Sequence, residues 1–234
     1  LTGATVNLTA PVATGTTFSM SGGTINAGAL LTLNGTFNWS GGTVFGSLAT
    51  TGSVSAPSGS FTLGTGAVWN NSGTIAITSG GWGYIDTNAI LNNTGSIDIG
   101  NNFGIYFIGI SGGQFNNNAG GTVPLSGIYS APITGTGGKF SNAGTLTKAT
   151  ATAQTLSNLA NSGVVNVNAG TLGVSGATAN SGTVNVNAGS LTLSGATANT
   201  GTINLATGTG LTLSGATTLS GGAIVGGAGV APVV

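Results

Sequence analysis

The chain has 234 residues, 46 of them Gly, and only four charged side chains, Asp86, Asp98, Lys139 and Lys148, which cancel to zero net charge. An ordinary globular domain is about 25% charged, and a surface this poor in Lys and Arg cannot displace phosphate counterions, which excludes nucleic-acid binding and disfavours an anionic membrane surface. The absence of Cys excludes a disulfide scaffold and thiolate metal sites, and it suits a secreted protein held together by backbone ladders.

Abundant Gly, Ser, Thr and Asn can mark a disordered chain, but 39% of these residues are hydrophobic. They fall at alternating positions, as in Thr183-Val184-Asn185-Val186-Asn187 and Ser190-Leu191-Thr192-Leu193, which is the period of a strand. No long segment has a helical period, so the chain is read as all-β. The longest apolar run, 103–110, is far short of the ~20 residues of a membrane helix, so membrane insertion is not expected. The chain opens inside a repeat-like segment, and it is expected to be a mature product or an excised fragment without a leader ahead of Leu1.

In chain order, units of a turn followed by a strand recur. The first begins within Thr2-Gly3-Ala4-Thr5-Val6; Ser21-Gly22-Gly23-Thr24-Ile25 and Ser40-Gly41-Gly42-Thr43-Val44 follow, and the spacing is least regular around residues 43–54. Further starts stand at Asn71, Asn93, Asn118 and Asn142, and then Asn161-Ser162-Gly163, Asn180-Ser181-Gly182 and Asn199-Thr200-Gly201 recur at one constant interval; Ser220 opens the last unit. A fixed period of about 20 residues is the mark of a chain that coils and packs each coil on its neighbours. The expected fold is a single-stranded right-handed parallel β-helix, a β-solenoid with coils of about 19 to 25 residues. One continuous domain over 1–234 is expected, with irregular, aromatic-rich coils at 70–141 and regular coils at 142–219.

Superposed units give inward apolar columns: Ile75, Ile97, Val123, Leu146, Val165, Val184 and Ile203, and two residues on Ile77, Ile99, Leu125, Val167, Val186 and Leu205. A second strand carries Leu172 with Val174, Leu191 with Leu193, and Leu211 with Leu213, and the stretches Ala177-Thr178-Ala179 and Ala196-Thr197-Ala198 read as a return to the next coil. Asn166, Asn185 and Asn204 form an outward polar column between the apolar ones. Gly after Asn or Ser is expected to supply the positive-φ corners. Lys148 falls on an inward column, and because burying an unpaired ammonium is costly, a register shift at Lys148-Ala149-Thr150-Ala151 is expected instead.

Trp82, Tyr84 and Ile85 align with Gly104, Tyr106 and Phe107 one coil on, and Tyr129 falls opposite Trp82 one coil further. Such columns are expected to stack ring on ring. They either fill a widened core or cap a longer loop, or they form an exposed strip for sugar rings, and Trp39 and Trp69 share that ambiguity.

Chemistry is sparse. Acid-base work on glycosides needs a carboxylate pair a few ångströms apart, and Asp86 and Asp98, half a coil apart, should lie on different faces. No His is present for a nucleophilic triad, no supporting motif surrounds Lys139 or Lys148 for a Ser-Lys dyad, and no calcium-binding Gly-Gly-x-Gly-x-Asp repeat occurs. No enzyme activity, cofactor or metal is expected. Gly135-Thr136-Gly137-Gly138-Lys139 lacks the Walker spacing and reads as corners. Asn7, Asn34, Asn38, Asn70 and Asn92 stand in glycosylation sequons, about as many as an Asn- and Thr-rich chain carries by chance.

The 19-residue units of form Asn-Ser-Gly-Thr-Val-Asn-Val-Asn-Ala-Gly-Ser-Leu-Thr-Leu-Ser-Gly-Ala-Thr-Ala resemble the repeats of filamentous-haemagglutinin-like adhesins and autotransporter passenger domains, large secreted bacterial proteins. The resemblance covers 142–224 clearly and the rest loosely. It implies a secreted, cell-surface β-helix serving as fibre, filament subunit or adhesin stalk; the family's secretion domain and membrane barrel have no counterpart in these residues. Two features of the ends point to a homo-polymer formed end to end: the first and last coils carry no charge, and the segment 228–234 is apolar. A second reading is a surface module binding polysaccharide, or a host surface, through Trp82, Tyr84, Tyr106 and Tyr129. Ice binding stands third, because regular Thr-x-Thr rows are missing.

Overall fold

The computed structural model describes residues 1–56, 59–77, 80–107 and 112–227. Among the described residues 29 strands and no helix occur, and the strands form one parallel sheet wound into a solenoid of about 11 turns. At ~4.8 Å per turn the rod is about 50 Å long. Parallel pairing needs a long crossover, and here the rest of each turn provides it.

Each regular turn has three strands rather than two. Thr183–Val186, Ser190–Leu193 and Thr197–Asn199 follow one another and define a first, second and third face. Val184 pairs with Val165, Leu191 with Leu172, and Ala198 with Ala179, each partner one turn earlier. The stretch read as a small-residue return is therefore the third face. Its inward positions are Thr197 and Asn199, both buried, while Ala198 faces out, so a hydrophobic pattern is absent from a true strand.

Near the N-terminus, Phe18–Leu33 and Thr36–Thr50 each run unbroken around all three faces, with register shifts where they turn. The expected irregularity lies here: Leu31 pairs with Leu48 across a shortened turn, and Leu48 pairs with Trp69 across a lengthened one. Corner chemistry also differs from expectation. In the regular turns the left-handed glycines are those of the Ala-Gly corner, Gly170 at φ 63° and Gly189 at φ 79°. The glycine of Asn-Ser-Gly is needed instead for close approach: a Cβ on Gly182 would stand 2.2 Å from the carbonyl oxygen of Gly163 one turn below.

All the expected apolar columns are buried. The N-terminal half adds an interior aromatic group in which Trp39 lies 4.4 Å from Phe61 and 5.5 Å from Trp69, ring centre to ring centre, with Phe37 and Phe103 at its flanks. Trp39 and Trp69 are thus core residues.

The third face places one Asn inside in each of seven successive turns. From Asn71 through Asn93, Asn117, Asn142, Asn161 and Asn180 to Asn199, each Nδ2 donates to the Oδ1 of the next at 2.7–2.8 Å. Every bond runs the same way, and the head of the ladder is closed by Thr50 Oγ1 donating to Asn71 and Trp69 Nε1 donating to Thr50. The amides' remaining hydrogen reaches backbone carbonyls at the adjoining corner, such as Gly144 and Val164 for Asn142. These asparagines belong to the repeated Asn-Ser-Gly starts, except that the ladder uses Asn117 and not Asn118. The longer corner there offers the Gly121 carbonyl to Asn117, where the Asn161 corner offers that of Gly163.

Lys148 corrects another expectation. Leu125, Lys148 and Val167 stand in unbroken register, and Lys148 is 0% exposed. Its Nζ donates to the Thr150 carbonyl and to Thr150 Oγ1, and burial pushes its pKa down from the ordinary lysine value. A depressed lysine pKa means that the unfolded chain binds more protons in the window below the ordinary value, so this group makes stability rise with pH there. Lys148→Met should stabilise the fold by about 1–2 kcal/mol at pH 7 and remove that slope, as read by denaturant midpoints from pH 7 to 10.

Candidate functional site

The second face carries an aromatic cluster on its outer side. In Gly81–Ile85 and Phe103–Phe107 the alternation puts Gly83, Ile85, Ile105 and Phe107 inside, and Trp82, Tyr84 and Tyr106 outside. Gly104 pairs with Trp82, and a Cβ there would stand 2.7 Å from the indole and 3.2 Å from the Ala131 carbonyl oxygen. The missing side chain is what lets the indole lie down over the next turn.

Tyr129 arrives differently. The residue beside Gly104 in the following turn is Pro132, whose carbonyl accepts from Ile105 N at 2.8 Å; Tyr129 lies in the segment before the strand Ile133–Gly135 and reaches Trp82 across the gap left by Gly104. The rings do not stack. Trp82 meets Tyr106 at 5.3 Å and 82°, and Tyr129 at 5.0 Å and 89°, while Tyr84 meets Tyr106 at 5.9 Å and 73°. Edge-to-face contacts suit the ring quadrupoles, and these four rings lie on the outer wall, Trp82, Tyr84 and Tyr129 half-buried, rather than in a widened core. Ile128, 65% exposed, sits beside Tyr129, and Phe45, 36% exposed, lies over Gly64 at the end of the same face two turns before Trp82.

The charged groups lie elsewhere. Asp98 faces out from the first face and accepts from Ser126 Oγ. Asp86, past the end of Gly81–Ile85, accepts from Thr65 Oγ1 at 2.8 Å and from the Thr87 amide at 2.6 Å, which ties down a corner. The two carboxylates are on different parts of the wall, as the half-coil spacing implied, and each has a structural partner. Lys139 is exposed at the start of a third-face strand. Among the described residues no group of three His, Cys, Asp or Glu could hold a metal ion.

By contrast the third face is free of outward rings and forms an open apolar hollow of about 620 Å³. Ala160, Ala179 and Ala198 line its outer side over successive turns, and upstream Asn70, Asn92 and Asn116 form an outer ladder, with Nδ2 to Oδ1 distances of 2.9 and 3.0 Å. Compared with protein-family models, with curated proteins and with solved structures, the chain matches none.

Proposed function

We propose that this solenoid is a non-enzymatic structural module of an extracellular surface fibre or adhesin stalk, in which stacking of turns continues from one copy to the next. The observation that carries this reading is the set of exposed apolar side chains on the first and last described turns. Val6 and Val12 face inward by their register with Ile25 and Leu31, yet they are 38% and 40% exposed. They line an apolar hollow of about 440 Å³ together with Leu8, Phe18 and Leu33. At the other end Leu219 occupies the position of inward Asn199 and is 51% exposed. Unpaired strand edges over open apolar positions favour a further turn; the apolar segment 228–234, expected to contribute, lies outside the described residues. The filamentous-haemagglutinin-like resemblance supports the same reading through the repeats alone.

Sedimentation velocity from submicromolar to tens of micromolar concentration tests it. The mean sedimentation coefficient should rise with concentration, and Val6→Lys or Ile224→Lys, which puts a charge on an end turn, should restore the monomer. A wild-type chain that stays monomeric throughout would sink the proposal.

The outward aromatic cluster favours a second reading, a module that binds polysaccharide. Ring faces of sugars pack on Trp and Tyr, and this part of the wall carries no free charge. Ice binding gains nothing: Asn166, Asn185 and Asn204, which fill one outward column of the first face, hydrogen-bond to one another at 2.9–3.0 Å.

A further inference from the structure

The buried Lys148 and Gln154 and the half-buried Thr150 stand behind the one member of the aromatic cluster that no strand holds. Gln154 is 1% exposed, inward on the second face beside Leu172, where other turns place an apolar residue. Its Nε2 donates to the Gly127 carbonyl at 3.2 Å and to the Tyr129 carbonyl at 3.1 Å. Thr150 Oγ1 donates to the same Gly127 carbonyl at 3.2 Å and accepts from Lys148 Nζ at 2.8 Å. From the adjoining turns, Ile128 N donates to the Asn101 carbonyl at 2.7 Å and Thr155 N to the Ser130 carbonyl at 2.7 Å. The segment 126–132 is thus an irregular excursion in which two backbone carbonyls, those of Gly127 and Tyr129, are satisfied by side chains of the following turn.

Gln154 Oε1 has no partner. A buried amide with a bare oxygen is costly, and an aliphatic residue would satisfy the core better at that position. What the amide does supply is two N–H donors aimed at two carbonyls of one segment. We infer that Gln154, with Thr150 and Lys148 behind it, is the positioning element of the aromatic cluster: it fixes the backbone that carries Tyr129 and so holds that ring edge-on to Trp82, pre-forming a surface for the flat, uncharged ring faces of a neutral polysaccharide. The ligand part rests on the second reading above; the positioning part does not.

The test follows nuclear Overhauser contacts between the Trp82 indole and the Tyr129 ring, alongside affinity electrophoresis in gels of neutral or anionic polysaccharide. Gln154→Leu should abolish the Trp82–Tyr129 contacts while those between Trp82 and Tyr106 persist, and both it and Tyr129→Ala should weaken retention by a neutral glycan about tenfold. Leu172→Val, a comparable core change beside Gln154 that leaves the segment's carbonyls bonded, should do neither. Should Gln154→Leu fail to fold, Thr150→Val removes one donor to Gly127 at nearly constant volume and should reduce the same contacts. Unchanged Trp82–Tyr129 contacts in a folded Gln154 or Thr150 variant would overturn the positioning role. If the wild type is retained by no neutral glycan, the polysaccharide reading falls, whereas the ring contacts still decide the positioning role.

Discussion

Val184→Asp is expected to destabilise the solenoid by about 3–5 kcal/mol, the cost of placing an unpaired carboxylate among buried apolar groups. Val184 is 4% exposed and pairs with Val165 below and Ile203 above. No cation lies in those turns; Lys148 is two turns away in the neighbouring column and already bonded to Thr150. Stability in a stacked array is local, because each turn contacts only its neighbours. The damage should therefore concentrate between residues 164 and 205, and hydrogen exchange should show lost protection there first. Full protection at those amides in the variant would mean that the face assigned as interior is not.

Breaking the inner asparagine ladder should be nearly as harmful, for a different reason. Asn142 accepts from Asn117 Nδ2 at 2.7 Å and donates to Asn161 Oδ1 at 2.8 Å. Asn142→Ala leaves an amide hydrogen, an amide oxygen and the Val164 carbonyl short of partners, at about 1–3 kcal/mol for each orphaned group and about 3 kcal/mol in total once the site relaxes. Asn142→Asp keeps the shape and separates geometry from polarity. A carboxylate cannot donate, so its oxygens would face Asn161 Oδ1 and the Val164 carbonyl, and the protonated form would be favoured in the fold. Its pKa would then lie above the unfolded value, the native state would hold the extra proton, and stability would fall as pH rises from about 4. Denaturant midpoints of this variant should be higher at pH 4 than at pH 8. A pH-independent midpoint equal to that of the wild type would contradict a one-way ladder.

Much of this architecture is written in the repeats. Alternation at Thr183-Val184-Asn185-Val186 and the regular return of Asn-Ser-Gly identify parallel coils and their inward columns. The third strand was hidden because its inward residues, Thr197 and Asn199, are polar: a short strand with no apolar alternation looks like a loop. The recurring Asn was visible, but periodicity alone does not tell a corner residue from a buried ladder, and the difference depends on hydrogen bonds between turns. Lys148 misled for a related reason. Desolvation argued against burial, yet Thr150, two positions on, folds back to solvate the ammonium, a local device that columns of residues do not reveal.

The aromatic site was legible in part. The match between 82–85 and 104–107 aligned Trp82 with Gly104 and Tyr84 with Tyr106 as the strands do. Their outward facing followed only once Ile85 and Phe107 were seen to take the interior. Tyr129 is brought in by a segment outside the repeat, and the signal that could have found its support was Gln154, a polar residue in a column of Leu. For Trp39 and Trp69 the inward columns of neighbouring turns, Met20 and Leu48, carried the answer.

Cryo-electron microscopy of the chain at micromolar concentration tests the stacking of turns across copies most directly. Rods that are multiples of about 50 Å, with the ~4.8 Å turn repeat unbroken at each junction, are the expected result. Single particles of one solenoid length, with both end turns bare, would contradict end-to-end assembly.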